Sequence, residues 1–238
     1  SANGNSTIGS NDLVFDPWDL VRYDPILGTA TLFLDGQAVF GVDYEDVNIN
    51  GVYVMDDCAA NNDSEDCSVV FTTTDGGQMP AVGGGTLTFT ASDLVRYYRS
   101  GPNAGLAEIY LDGSDPDVFG ATEGSGNTDI DAFYLRVDPA DPTGVIDVFV
   151  LSVDNETGII GEGLDPITGT LFTRDDVTEL DRINDTTENL FVGDVELGVF
   201  EPTAAQRRLD SLHLVEDGYV GHFSIRQEQG GSVCEAGV

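Results

Sequence analysis

Lysine is missing from this chain of 238 residues: its nine cationic side chains are all arginine and stand against 43 Asp and Glu, for a formal charge of -34. So acidic a surface repels nucleic acid and anionic lipid, which excludes both as expected partners. It favours divalent cations, or a salty medium in which self-repulsion is screened. The lack of Lys also suits a salt-adapted organism, in which acidity reflects habitat. Histidine and cysteine are scarce, at two and three residues. Long apolar runs are lacking as well: no stretch approaches the roughly 20 residues of a membrane span, so no membrane insertion is expected. The start, Ser1-Ala2-Asn3-Gly4, has no basic segment followed by an apolar one. Any signal peptide is therefore expected to have been removed already. Nucleophile elbow, H-E-x-x-H, P-loop and a well-spaced Cys-His set are all missing. A glycosidase needs only two carboxylates, and 43 acids always offer a pair, so composition selects none.

What the chain does contain is a repeat. Trp18-Asp19-Leu20-Val21-Arg22-Tyr23 returns as Ser92-Asp93-Leu94-Val95-Arg96-Tyr97 and, worn, as Asp175-Asp176-Val177-Thr178-Glu179-Leu180. In each copy a Phe stands five positions before the first apolar residue: Phe15, Phe89 and Phe172. This offset aligns the copies. Each then predicts four strands, at 20–24, 30–35, 47–55 and 68–74, at 94–98, 107–112, 130–137 and 145–153, and at 177–180, 189–192, 209–215 and 219–226. Gly-rich linkers at 76–86 and 158–170 separate them, and helix is expected only around 202–207. A hydrophobic share of 40% and 12 Phe argue against disorder.

The expected fold is all-β, with three four-stranded blade-like repeats in the manner of a β-propeller. Three blades are too few for the usual ring of about four to eight, so closure calls for other subunits, a polymer of chains or a different packing such as a sandwich. The organisation reads as an N-terminal segment 1–12, flexible or exchanged with a neighbour, repeats at 13–86, 87–170 and 171–228, and a tail at 229–238.

Cys58 and Cys67 bracket an acidic insert without an apolar anchor. A disulfide there would stabilise by about 2.5–3 kcal/mol and places the chain outside the cytoplasm. Zinc is the weaker reading, because the thiols lack companions. Cys234, in a Gly-rich tail, is left for an interchain bond or a free thiol.

The pattern D-L-V-R-Y, then Leu111-Asp112-Gly113-Ser114-Asp115, then Asp129-Ile130-Asp131-Ala132 resembles a propeller-like repeat of secreted, largely uncharacterised bacterial proteins. The resemblance implies a secreted or cell-surface setting and transfers no catalytic residue. The first repeat departs from it at Leu34-Asp35-Gly36-Gln37 and Asn48-Ile49-Asn50-Gly51, and the third at Arg208-Leu209-Asp210-Ser211.

Residues two apart on a strand share a face, so Asp129 and Asp131 fall with Phe133 and Leu135, and Asn48 and Asn50 with Val52 and Val54. Unpartnered carboxylates there would be costly. They either cap turns as Asx motifs or bind Ca²⁺, which wants six to eight oxygens, through Asp129, Asp131 and Asp112 or Asp115, with Asp35, Asn48 and Asn50 as the first-repeat counterparts. Arg22 and Arg96 are expected in inter-strand ion pairs, Trp18 in packing or sugar stacking. His213 and His222, if opposed across a hairpin, form a further potential metal pair.

Two functions follow as expectations. The first is a secreted or cell-surface structural protein that assembles with copies of itself, stabilised by Ca²⁺ or high salt, without catalysis. The second is an extracellular propeller that binds or cleaves a glycan or phosphoester through metal-loaded Asp loops.

Overall fold

The computed structural model describes residues 6–16, 18–41, 47–55, 68–115, 118–119, 129–137, 146–153, 158–160, 170–172, 176–181, 186–191, 207–215, 220–227 and 234–237. It is all-β, and among the described residues it has one short helix, α1 (Gly36–Phe40), that Asp35 caps, while 202–206 of the helix expected around 202–207 lie outside the described residues. The strands are β1 (Ser6–Ile8), β2 (Leu13–Phe15), β3 (Leu20–Asp24), β4 (Thr29–Leu34), β5 (Ile49–Val54), β6 (Ser68–Thr73), β7 (Gly77–Pro80), β8 (Thr86–Phe89), β9 (Leu94–Tyr98), β10 (Ala107–Leu111), β11 (Ile130–Val137), β12 (Ile146–Val153), β13 (Gly158–Ile160), β14 (Thr170–Phe172), β15 (Val177–Asp181), β16 (Thr186–Phe191), β17 (Arg207–Val215), β18 (Val220–Gln227) and β19 (Cys234–Gly237).

The repeat therefore holds six strands, in three hairpins: a small one (β1–β2, β7–β8, β13–β14), a motif hairpin (β3–β4, β9–β10, β15–β16) and a long one (β5–β6, β11–β12, β17–β18). The aligned phenylalanines Phe15, Phe89 and Phe172 each end a small hairpin. Two of these hairpins occupy the supposed linkers. The boundaries expected at 86/87 and 170/171 pass through β8 and β14. Within the segment expected to be flexible or exchanged, β1 pairs with β2 of the same chain.

The four strands expected of each repeat do not form one sheet. Instead the long hairpin of one repeat joins the motif hairpin of the next, giving antiparallel sheets β5-β6-β9-β10 and β11-β12-β15-β16. β17, β18 and β19 make a three-stranded sheet, and β3–β4 stands as a two-stranded one. Among the described residues no barrel or ring is closed by these pairings. Bulges recur at equivalent places. The register slips between Ile49 and Val52, Ile130 and Ala132, and Leu209 and Ser211 in the long hairpins. In the motif hairpins it slips opposite Leu20, Leu94 and Val177. An extra residue at a fixed place bends each strand the same way.

β6 is buried along all six residues, so its sheet is covered on both faces. On one side Val70, Leu94, Leu111 and Tyr53 pack with Phe133, Leu135, Phe149 and Leu151 of the next sheet. On the other, Val69, Phe71 and Val95 pack with Leu34, Phe40, Met79 and Phe89, and Trp18 sits against this cluster. Phe71 stands edge-on to both Phe40 and Phe89. Each large side chain buried here contributes about 1.5–3 kcal/mol of transfer free energy.

Candidate functional site

The chemistry that recurs along the chain belongs to one carboxylate. In the motif turn, Asp93 Oδ2 accepts the backbone N–H of Thr90 at 2.7 Å and its hydroxyl at 2.9 Å, while Oδ1 accepts the N–H of Gly113 at 2.9 Å. Asp19 repeats this: Oδ2 accepts Asp16 N–H and Oδ1 accepts Gly36 N–H, both at 2.9 Å. The same aspartate thus ties the start of the motif strand to the L-D-G turn that leaves its partner. Glycine is required at that turn, since a Cβ on Gly36 or Gly113 would stand 2.2 Å from the carbonyl oxygen of Trp18 or Ser92. Asp176, the third copy, is also buried, at 4% exposure. Asp93, buried, and Asp19, half-buried, each accept backbone N–H groups from both ends of their hairpin and so act as structural staples.

The residues expected to hold Ca²⁺ fall in two sets. Asp35 Oδ1 accepts Ala38 N–H at 3.1 Å as the cap of α1. Asp112 Oδ1 accepts the N–H and hydroxyl of Ser114 at 2.9 and 2.5 Å. Both make the turn-capping bonds of an Asx motif. Asp115 continues that turn, its carbonyl accepting Val118 N–H at 2.8 Å. Asn50 Oδ1 accepts the hydroxyl of Thr74 at 3.0 Å, and the carbonyl of Asn48 accepts Thr74 N–H at 2.8 Å. Asp129 and Asp131 are half-buried at the start of β11, and Asp131 lies in the bulge, which breaks the alternation that would set it beside Phe133. Among the described residues no three His, Cys, Asp or Glu gather into a group able to hold a metal ion. Cys58 and Cys67 lie outside the described residues. The register of β17 and β18 does place His213 opposite His222.

The expected inter-strand pairing of arginine is present in β9, with a partner other than the neighbouring aspartate. Arg96 stands opposite Glu108 in register, with 3.9 Å between Nη1 and Oε1, donates to the hydroxyl of Ser68 on β6 at 3.0 Å, and lies 4.7 Å from the Tyr98 ring centre. Tyr98 donates to Glu108 at 2.5 Å. Burial first and this bond second push its phenol up to about 12. In repeat three the motif position carries Glu179, which Arg136 of β11 meets at 2.7 Å. Arg99 covers the ring of Phe33 at 3.9 Å and so ties the second motif hairpin to the first.

A cleft of about 500 Å³ opens between α1 and the β7–β8 hairpin, walled by Phe40, Val47, Met79 and Pro80. Asp75 is the one acid in its described wall, so a two-carboxylate arrangement for glycoside hydrolysis is not assembled there. No family model matches the chain, and no curated protein and no solved structure matches it either.

Proposed function

We propose that the chain is a structural protein, secreted or held at a cell surface, that assembles with copies of itself and is stabilised by Ca²⁺ or high salt. Its four-stranded sheets serve as the blades of a propeller-like stack. The observation that supports this reading is the fate of the recurring aspartate. The polar residue written into each copy of the motif is occupied by backbone N–H groups in Asp19 and Asp93, as expected of a module selected for its own architecture. The charge of -34 supplies the need for cations or salt, because like-charged copies approach only when screened. Light scattering in dilute buffer, with calcium, with chelator and in molar salt tests the reading. Particles larger than one chain are expected with calcium or salt, and a single chain under all four conditions overturns it.

A further inference from the structure

The two four-stranded sheets are joined by one junction used twice. β6 meets β9 through Ser68↔Tyr98, Val69↔Tyr97, Val70↔Arg96 and Phe71↔Val95. β12 meets β15 through Val148↔Asp181, Phe149↔Leu180, Val150↔Glu179 and Leu151↔Thr178. Aligned on the motif, the pairs coincide position by position, Val95 with Thr178 and Arg96 with Glu179. The second strand of a long hairpin thus receives the motif strand of the following repeat in a fixed register.

β3 carries the same motif and, among the described residues, pairs only with β4. Its side chains register the difference. Tyr23 is 47% exposed where Leu180, at the same motif position, is 0%. β5 gives an independent sign. Val52 and Val54 are 45% and 40% exposed, whereas Phe133 and Leu135, at the same positions of β11, are 4% and 1% exposed in the core shared with Tyr53 and Val70. β11 packs on β5, and β17 on β11. The face of β5 that holds Val52 and Val54 is where the same stacking would set one more long hairpin.

That hairpin exists at the other end of the chain. Counted from the shared bulge, Phe223 holds the position of Phe71 and Leu151. The edge of β18 that should receive a motif strand is held by β19, with Ala236 opposite Phe223 and Gly237 opposite His222. Cys234-Glu235-Ala236-Gly237 thus stands in for a motif strand with no large apolar residue, a weak strand former.

We propose that the outer edge of β3 and the exposed valines of β5 receive the β17–β18 hairpin of a second copy of this chain, in the register Val21↔Phe223, Arg22↔His222, Tyr23↔Gly221 and Asp24↔Val220, with β19 displaced. This rests on the self-assembly reading and names its interface. The contact completes a four-stranded sheet across two chains by strand addition. It is head-to-tail, so it builds a ring if the rotation closes and a filament if it does not.

The test mixes a chain carrying Arg22→Cys with one carrying His222→Cys in molar salt under mild oxidation, with each variant alone as the control for the native cysteines. A cross-linked pair found only in the mixture is expected. In parallel, Val52→Asp with Val54→Asp, at two exposed sites that a lone chain tolerates, is expected to raise the concentration needed for assembly at least about tenfold by burying unpaired charge. Ala236→Pro, which unseats β19, is expected to lower it. Assemblies that form yet ignore the valine substitutions and give no mixed cross-link overturn this interface while leaving self-assembly standing. A chain that stays single throughout overturns both. If one chain carrying both cysteines links to itself, closure is intramolecular and the second copy is overturned as the occupant.

Discussion

In β9, Leu94 and Val95 are fully buried and Arg96 half-buried, whereas the same motif in β3 leaves Leu20 and Val21 half-buried and Arg22 exposed. Yet the hydrogen bonds that Asp93 and Asp19 make within the two hairpins correspond, and so do the bulges. Local geometry therefore follows from the motif's own residues, while burial follows from a neighbour: β6 covers the flank of β9, and no described strand covers the flank of β3. Repeated sequence gives repeated hairpins. It does not give repeated environments, because a strand's surroundings are set by the strand beside it.

The sharpest way to break the comparison is to remove both staples in turn. Asp93→Ala leaves Gly113 and Thr90 N–H groups without their acceptor in a site where the carboxylate is 5% exposed. A loss of about 3–5 kcal/mol is expected from buried donors left unsatisfied. Asp19→Ala removes the two corresponding backbone bonds, without a counterpart of the Thr90 hydroxyl bond, in a hairpin that water reaches, and a loss of about 1–2 kcal/mol is expected. Urea unfolding midpoints of the two variants measure the gap. Equal losses would mean that the bonds alone, and not their burial, set the strength of the staple.

A smaller gap is expected for the apolar pair. Leu94 is 0% exposed inside the core between the two large sheets, so Leu94→Ala should cost about 3 kcal/mol through lost transfer and a residual cavity. Leu20 is half-buried at the edge of its cluster, and Leu20→Ala should cost about 1 kcal/mol. Under conditions that favour association the Leu20 variant should lose more than it does as a single chain. A loss that does not change with protein concentration would separate β3 from any intermolecular contact.

Much of this was legible in the residues. The expected runs fall on observed strands, because alternating β-branched and aromatic residues bounded by Gly, Pro and Asp act locally. The small hairpins were hidden in the glycines: Gly83, Gly84 and Gly85 all take positive φ in the turn between β7 and β8, and a Gly-rich stretch reads equally as linker. α1 spans five residues and is announced only by Asp35, which also reads as a turn residue. The role of Asp93 escaped because Gly113 lies 20 residues away. The signal was the constant company of the motif aspartate and an L-D-G turn in the first two repeats. The joining of one repeat's long hairpin to the next repeat's motif hairpin was not legible, since strand pairing between repeats leaves no mark on local composition.

The smallest effect expected concerns the last residue of the motif strand, where the two hairpins diverge in chemistry. Asp24 ends β3 and caps its turn, Oδ1 accepting the N–H groups of Ile26 and Leu27 at 2.8 and 3.0 Å. Tyr98 ends β9 and donates across the hairpin to Glu108, with its phenol pushed up to about 12 by burial and by that bond. The folded chain holds the Tyr98 proton more tightly than the unfolded chain does. Its contribution is therefore intact below pH 10.0 and is lost as pH rises toward about 12. Tyr98→Phe should flatten the fall of the melting midpoint in that window while changing the midpoint at neutral pH only a little, since a half-buried phenol exchanges its bond to Glu108 for one with water at small net cost. Asp24→Asn should leave the alkaline limb as it is. A limb of the same slope in the Tyr98 variant would place the alkaline weakness elsewhere, with Tyr97 the next group to change, because burial raises its phenol too.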